Sequence, residues 1–535
     1  MPKFKLDGQE IEFEPGDTII RAAWRAGIEI PHYCWHPGLS VAANCRMCLV
    51  EIKAARPMML PTVKWDEKKR QFVPSTKPKL QPACQIPAAE GMEVLAKSAE
   101  ALKAQESTQE FLLLNHPVDC PICDQAGECK LQDYWLTSQK KLKRKTSEPV
   151  HKPKGVRFGE TIVYDAERCI MCTRCIRFCD EVVGDHVLDM RERGNKNEIV
   201  LAPGRQLDHD YTLMTEHVCP VGALTSRDFR FKARVWFLKS APSICTGCAT
   251  GCNTLVDYDP RHQRVYRLRP RDNADVNKHW MCDDGMMSYH RFHEDRILTG
   301  RVRSGDKVQE VSRDEAVKAA VQVLGKVEGG KLGVVLSSQC SNEDNYLLVT
   351  LAREHFKTDR IYLTGLGGWR GDEILRHFDN NPNRAGALMV AGSEPRSMEQ
   401  LVQDIESGDV QSVLSLGWAT SLSPAELAPL TSLASAAIGA TAHINLTANA
   451  GALTSAASIV VPVASVAETS GTFVNFKGMA QQFQSAVRAP GGIQSAWQTL
   501  VEIGGGLGFT PNLQQLGDVR KKMPARLPEP APAAS

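Results

Sequence analysis

The sequence predicts a multi-domain α+β chain, and three observations predict it. With 535 residues, 42% of them hydrophobic, the chain is long enough for several domains, each with its own core. Its cysteines are unevenly placed: 16 of the 17 lie between Cys34 and Cys282, and only Cys340 follows. From about residue 300 the texture changes to apolar strand-like runs alternating with helical periodicity, an α/β signature.

The elements follow in order. Residues 3–6 and 10–13 alternate in polarity around Asp7-Gly8, a tight hairpin signal. Asp17 or Thr18 can cap a helix running to Ala26, which Gly27 ends. A long loop carrying Cys34, Cys45 and Cys48 then leads into an alternating strand at 49–52. Hairpin, helix, cysteine loop and strand together predict a small β-grasp-type domain over 1–97. Residues 98–114 read as a helix, and Asn115-His116-Pro117 breaks it and opens a second cysteine loop, giving a segment 98–137.

The stretch 138–160 is basic (Lys140, Lys141, Lys143, Arg144, Lys145), is punctuated by Pro149, Pro153 and Gly155, and reads as a solvated linker. Cysteine-rich units follow at 161–237 and 238–294. The α/β domain occupies 295–515, with a strand at 332–336 and a helix over 342–355. The proline-rich end, 516–535, reads as a disordered tail.

A formal net charge of +2 gives no reason to expect nucleic acid as a partner. No run approaches the roughly 20 apolar residues that span a bilayer. Met1-Pro2-Lys3-Phe4 leads into a strand pattern and not a secretory h-region, so a cytoplasmic protein is expected. In a long cytosolic chain, clustered cysteines mean metal more readily than disulfides.

The first set, Cys34, Cys45, Cys48 and Cys84, has the spacing C-x10-C-x2-C with a distant fourth partner. Three thiolates on one flexible loop and one from downstream can hold a [2Fe–2S] cluster. Ala42, Ala43 and Asn44 are small enough to leave backbone N–H groups free for the sulfurs. Zinc is the alternative, but its sites favour paired C-x2-C knuckles and only one such pair is present.

The second set is His116, Cys120, Cys123 and Cys129. Three thiolates are one short of a [4Fe–4S] cubane. A lone histidine before proline is ordinarily a capping or surface residue; here its spacing and the missing cysteine make it the expected fourth ligand. A neutral imidazole in place of a thiolate makes the cluster less negative, which by itself raises its potential.

The third set begins Cys169, Cys172, Cys175 and Cys179, the C-x2-C-x2-C-x3-C run of ferredoxins. In two-cluster ferredoxins the fourth cysteine of such a run serves the other cluster, and a distant Cys-Pro completes the first. The chain has one distant Cys-Pro, Cys219-Pro220. Cys169, Cys172, Cys175 and Cys219 are therefore expected to hold a [4Fe–4S] cluster, with Cys179 left as a buried free thiol. The fourth set, Cys245, Cys248, Cys252 and Cys282, can wrap another cubane. Fifteen of the seventeen cysteines thus fall into complete quartets with one histidine, leaving Cys179 and Cys340 unassigned.

These sets, in this order, resemble those of the large iron–sulfur subunit (G-type, 75 kDa-type) of bacterial respiratory NADH:quinone oxidoreductase, complex I. The run from Asn44 through Cys45-Arg46-Met47-Cys48 to Glu51 looks like the family's first-cluster loop. The run from His116 through Cys120 and Cys123 to Gly127-Glu128-Cys129 is a near-verbatim match to its histidine-ligated cluster. Cys169-Ile170-Met171-Cys172-Thr173-Arg174-Cys175 is similarly close.

The fourth quartet occurs in some members, away from their main electron path. Downstream, Ser337 to Tyr346, and Glu468 with Gly471-Thr472-Phe473-Val474-Asn475 and Gly478, resemble loops of the molybdopterin-oxidoreductase fold, here truncated. Similarity of scaffold does not establish chemistry.

The resemblance implies one [2Fe–2S] and three [4Fe–4S] clusters, no molybdenum or flavin in this chain, and no self-contained catalytic site. It implies a flavin/NADH-binding partner, an iron–sulfur partner leading to quinone and other peripheral-arm subunits. Single electrons would pass from the Cys34 set to the Cys169 set and then to the His116 set. It also implies a peripheral place on the cytoplasmic side of the bacterial inner (plasma) membrane, with membrane contact only through the complex.

Three alternatives compete. A catalytic chain of an NAD-linked formate dehydrogenase can share all four cysteine sets. Active relatives of that kind place Lys-Gly two residues after the last cluster cysteine, bridging cluster and pterin; this chain has Cys282-Asp283-Asp284-Gly285. A relay subunit of an NAD-reducing hydrogenase usually lacks the long C-terminal domain. A zinc scaffold explains neither the histidine nor the ferredoxin run. Gly365, Gly367, Gly368 and Gly371 make no G-x-G-x-x-G, because Arg370 holds the sixth place.

Overall fold

Asp7 and Gly8 both adopt positive φ (49° and 88°), the turn that matches the twist of paired strands, and join the strands Lys3–Leu6 and Gln9–Glu12 into the expected hairpin. The computed structural model describes residues 1–54, 63–74, 79–138, 147–305, 307–367, 370–417, 424–435, 441–511, 513 and 515–523. Within it the chain forms two units, Met1–Phe237 and Leu238–Ser535.

In the first unit, a five-stranded mixed sheet runs in the order Gln9–Glu12, Lys3–Leu6, Glu93–Leu95, Leu49–Ala54, Gln81–Pro82. The helix Ile19–Arg25 packs on it, its N-terminus capped by the Thr18 hydroxyl, which accepts from the Arg21 N–H. Asp17 instead accepts from the Glu14 N–H and pairs with Arg25. Phe4, Leu6, Ile11, Ile19, Ile20, Val50 and Ile52 bury together with Cys48 and Cys84, so the first thiols are set directly into a core. The helix Ala99–Leu113 follows, capped by Ser98.

The strands Val156–Phe158, Ile162–Tyr164 and Leu224–Ser226 form a three-stranded sheet. Its first strand lies within the expected linker 138–160. The Phe158 side chain, 3% exposed, fixes it against Tyr164. The basic run at 140–145 lies outside the described residues.

The second unit opens with a three-stranded antiparallel sheet, Lys239–Ile244, Asn253–Asp259 and Arg264–Pro270. Its main sheet has seven strands in the order Lys307–Val311, Gly300–Ser304, Ile459–Pro462, Ala442–Thr447, Ser412–Leu416, Leu332–Ser337, Ile361–Thr364. The last five are mutually parallel and buried on both faces, as doubly wound sheets require.

The expected helix at 342–355 is regular from Asn342 to Thr350 and continues as a π-turn, Leu351–His355. The expected disordered tail 516–535 begins instead with a helix, Leu516–Lys522. Val519 is fully buried and Arg520 reaches the buried Glu343 carboxylate at 2.7 Å, contacts that composition does not reveal. Residues 524–535 lie outside the described residues. No helix among the described residues is long and apolar enough to cross a membrane.

Candidate metal centres

The Cys34 and Cys45 thiols share a hydrogen bond, as do Cys48 and Cys84, so the structure brings the first set together as two adjoining pairs. Ala43 and Arg46 sit at positive φ (50° and 59°), and the loop they bend turns its amides inward. The N–H groups of Asn44 and Cys45 reach the Cys34 sulfur, and those of Tyr33, Cys34 and Met47 reach Cys45. The bonded partner thiol, and then burial, push Cys34 and Cys48 upward.

Cys169, Cys172, Cys175 and Cys219 line one cavity, closed by Tyr164 and Leu224. Met171 and Thr173, at positive φ, again turn the backbone toward the sulfurs, and the Met171 N–H points at Cys169 Sγ (3.4 Å). Burial pushes the Cys169, Cys172 and Cys219 thiols up to about 11. Such thiols ionise readily only when a cation compensates, which links metal capture to proton release. Cys179 is buried outside this cavity, with its sulfur 3.5 Å from His209 Nε2.

In the second set, Cys123 and Cys129 are each 9% exposed and Cys120 is exposed. The three thiols are near enough for their charges to act on one another. His116 Nδ1 is buried without a hydrogen-bond partner among the described residues. Burial, reinforced by the Arg168 guanidinium, pushes the ring down to about 4, leaving it neutral as a ligand must be. A buried, orphaned ring nitrogen four residues before Cys120 fits a fourth ligand to a cluster.

In the second unit, Cys245, Cys248, Cys252 and Cys282 are all buried. The strand ends hold them: Cys245 N–H donates to Cys252 O (2.8 Å), Gly247 N–H points at Cys245 Sγ, and Gly285 N–H at Cys282 Sγ, both at 3.4 Å. A Cβ on Gly285 would crowd both sulfurs. Asp284, two residues after Cys282, accepts from Arg376 at 2.9 Å. Cys340 lies beyond the strand Leu332–Ser337 at the carboxyl edge of the main sheet, in a cavity shared with Gln339, Ser341, Asp344 and Thr447.

The three sets of the first unit adjoin one another. Arg177 Nη2 donates to Cys34 O (2.6 Å) and Cys172 O (3.3 Å), and Asn44 Nδ2 to Met171 O (3.2 Å). Lys130 N–H, next to Cys129, donates to Pro220 O (3.2 Å), next to Cys219. Gly222 lies against the Cys123 sulfur so closely that a Cβ there would overlap it. Arg168 pairs with Asp119 and Asp165 in the same seam. The buried Tyr33 ring feels both Cys45 and Cys129. Sequence reasoning missed these arginines and Gly222. Arg168 and Arg174 stand inside or beside cysteine motifs, but nothing in their spacing announces burial.

Four thiol-rich sites, three on ferredoxin-like elements and one beside a doubly wound sheet, define an iron–sulfur protein of the electron-transfer class. Residues 2–99 match the 2Fe-2S iron-sulfur cluster binding domain, 105–139 the NADH-ubiquinone oxidoreductase-G iron-sulfur binding region, and 159–225 the ferredoxin-like domain of NADH-quinone oxidoreductase subunit 3. Residues 238–294 match the molybdopterin oxidoreductase Fe4S4 domain and 361–505 the molybdopterin oxidoreductase family.

The chain is a homologue of the G-type iron–sulfur subunit of NADH-quinone oxidoreductase. It is 36% identical to that subunit of Rickettsia conorii over 409 residues (74% of this chain, 56% of the relative). It is 34% identical to that of Streptomyces coelicolor over 360 residues (66% and 40%). It is 32% identical to the mitochondrial NADH dehydrogenase [ubiquinone] iron-sulfur protein 1 of Solanum tuberosum over 397 residues (73% and 50%). The chain spans about half the length of the curated relatives it matches.

Proposed function

We propose that this chain is an electron-relay subunit of an NADH:quinone oxidoreductase, taking single electrons from a flavin-bearing partner and passing them to another iron–sulfur subunit toward quinone. The observation that carries this reading is the direct bonding of three thiol sets within one unit. Arg177 ties Cys34 to Cys172, and the Cys129 and Cys219 segments are hydrogen-bonded and packed through Gly222.

The ligands would be Cys34, Cys45, Cys48 and Cys84 for one [2Fe–2S] cluster. Three [4Fe–4S] clusters would be held by His116 with Cys120, Cys123 and Cys129; by Cys169, Cys172, Cys175 and Cys219; and by Cys245, Cys248, Cys252 and Cys282. When bound, such clusters supply one-electron chemistry, which lets a flavin release a hydride's electron pair in single steps.

The chain's own residues have three tasks. The loop amides and buried walls hold the sulfurs and exclude water. His116 offers a neutral ring. Arg177 and Gly222 keep neighbouring sites in register. The adjacency supports a relay among the three sets, and the order Cys34 set, Cys169 set, His116 set is the one the family resemblance implies. The domain division reached from the sequence stands as the proposed one, apart from the strand at 156–158 and the helix at 516–522.

The second unit is read as a scaffold without molybdenum, peripheral to the cytoplasmic side of the membrane through its partners. Asp284, paired with Arg376, presents a carboxylate where an ammonium would bridge cluster and pterin, so that bridge would be missing.

Cys172→Ala tests the relay. Quinone reduction should stop while reduction of artificial acceptors at the flavin continues. Full quinone activity in an assembled variant lacking that cluster would sink the path. Stoichiometric molybdenum with formate oxidation would move the chain to the formate dehydrogenase reading.

A further inference from the structure

The short helix Arg174–Phe178 lies in the seam between the Cys34 and Cys169 sets and carries two guanidinium groups, on Arg174 and Arg177. Arg174 is 6% exposed. It donates from Nη1 to Val218 O (3.2 Å) and from Nη2 to Trp35 O, and its Nε is buried without a partner. Val218 precedes Cys219 and Trp35 follows Cys34, so one side chain ties the neighbours of two ligands from different sets. Arg177, half-buried, donates to the carbonyls of Cys34, Ser40 and Cys172 and to the Thr173 hydroxyl.

Among the described residues, the hydrogen-bond partners of both guanidiniums are carbonyl and hydroxyl oxygens, with no carboxylate in salt-bridge reach. Arg168, in the seam between the Cys169 and His116 sets, differs. It is equally buried, but Asp119 (2.9 Å) and Asp165 (3.3 Å) neutralise it. A buried guanidinium without a counter-charge is strongly unfavourable. The fold therefore calls for an anion at the first seam that the polypeptide does not supply. Burial pulls Arg174 below the usual guanidinium range and the sulfurs of Cys172, Cys219 and Cys34 act against that pull; iron-bound thiolates would provide the missing negative charge.

Resting on the reading of these sets as cluster sites, we infer that Arg174, seconded by Arg177, is a fixed positive charge shared by the Cys34 and Cys169 sites that raises the reduction potential of both. A cluster becomes more negative on reduction, so a cation in a low-dielectric seam stabilises the reduced form. The His116 site has Arg168 beside it, but that guanidinium is paired with Asp119 and Asp165, so the lift it gives is smaller. Arg174 is a tuning residue and not a ligand.

The test is a redox titration of the cluster signals by electron paramagnetic resonance in the assembled complex, with iron and sulfide content measured on the same samples. Arg174→Gln should keep both signals. At a fixed potential it should lower the reduced-to-oxidised ratio at the Cys34 and Cys169 sites by about tenfold, 59 mV for a one-electron couple. The His116 site should change far less, and Arg174→Lys, which keeps the charge, should stay near wild type.

Unchanged ratios in Arg174→Gln, an equal fall in the lysine variant, or an equal shift at the His116 site would each overturn the inference. Wild-type protein without clusters at these sites would instead overturn the cluster reading on which it rests. Should Arg174→Gln not assemble, Arg177→Gln takes its place: a smaller fall at the same two sites is expected, and no change overturns the proposal.

Discussion

A histidine before proline has no chemical signature of its own, and His116 entered the reading only because three cysteines were one ligand short. The structure adds a buried Nδ1 that no described residue bonds, and a ring held neutral by burial and Arg168. His116→Cys should therefore retain a cubane with altered spectroscopy and, with a thiolate replacing a neutral ring, a lower potential. His116→Ala should lose or degrade that signal. An unchanged signal in both variants would place the ligand elsewhere. The ligand set was legible because cysteine spacing is one-dimensional information. The residues between the sites were not. Gly222 and Arg174 act through close approach and burial across roughly a hundred residues of chain or more, and spacing does not record such contacts.

At the scale of elements, patterns with a local cause were readable. Asp7-Gly8 makes its turn through the backbone freedom of those two residues, Thr18 caps because its hydroxyl meets the Arg21 N–H, and the strand at Leu332–Ser337 is apolar on both faces because helices cover both. Where the cause is tertiary, the reading failed. The helix Leu516–Lys522 is short, polar and next to a proline-rich end, and only its docking explains it. Its Arg520 supplies the charge for Glu343, a fully buried carboxylate that also accepts from the Thr472 N–H (2.9 Å) and hydroxyl (3.1 Å). Arg520→Ala should leave that carboxylate without a counter-charge and cost the second unit about 3 kcal/mol, the order expected for breaking a buried pair. Chemical denaturation of the variant would read this as a lower midpoint at an unchanged slope. A midpoint within error of wild type would mean that the helix is not part of the cooperative unit.

For the whole molecule, the division of bonds predicts a division of labour. The hydrogen bonds that join three of the thiol sets, from Arg177, Asn44 and the Lys130 N–H, lie wholly within Met1–Phe237. The fourth set is held by strand ends and glycines of Leu238–Ser535, where buried thiols and the antiparallel sheet form one local structure. Ligand binding at such a site adds to the stability of the fold around it. Cys248→Ala should therefore reduce the amount of assembled complex several-fold, the change in abundance that one or two kcal/mol of lost stability produces. The signals of the three clusters in the first unit, and quinone reduction per assembled complex, should stay near wild type. Complex content is counted from bound flavin and the rate is divided by it. A per-complex rate that falls in step with the loss of the fourth cluster would put the Cys245 site on the electron path and end its assignment as a structural branch.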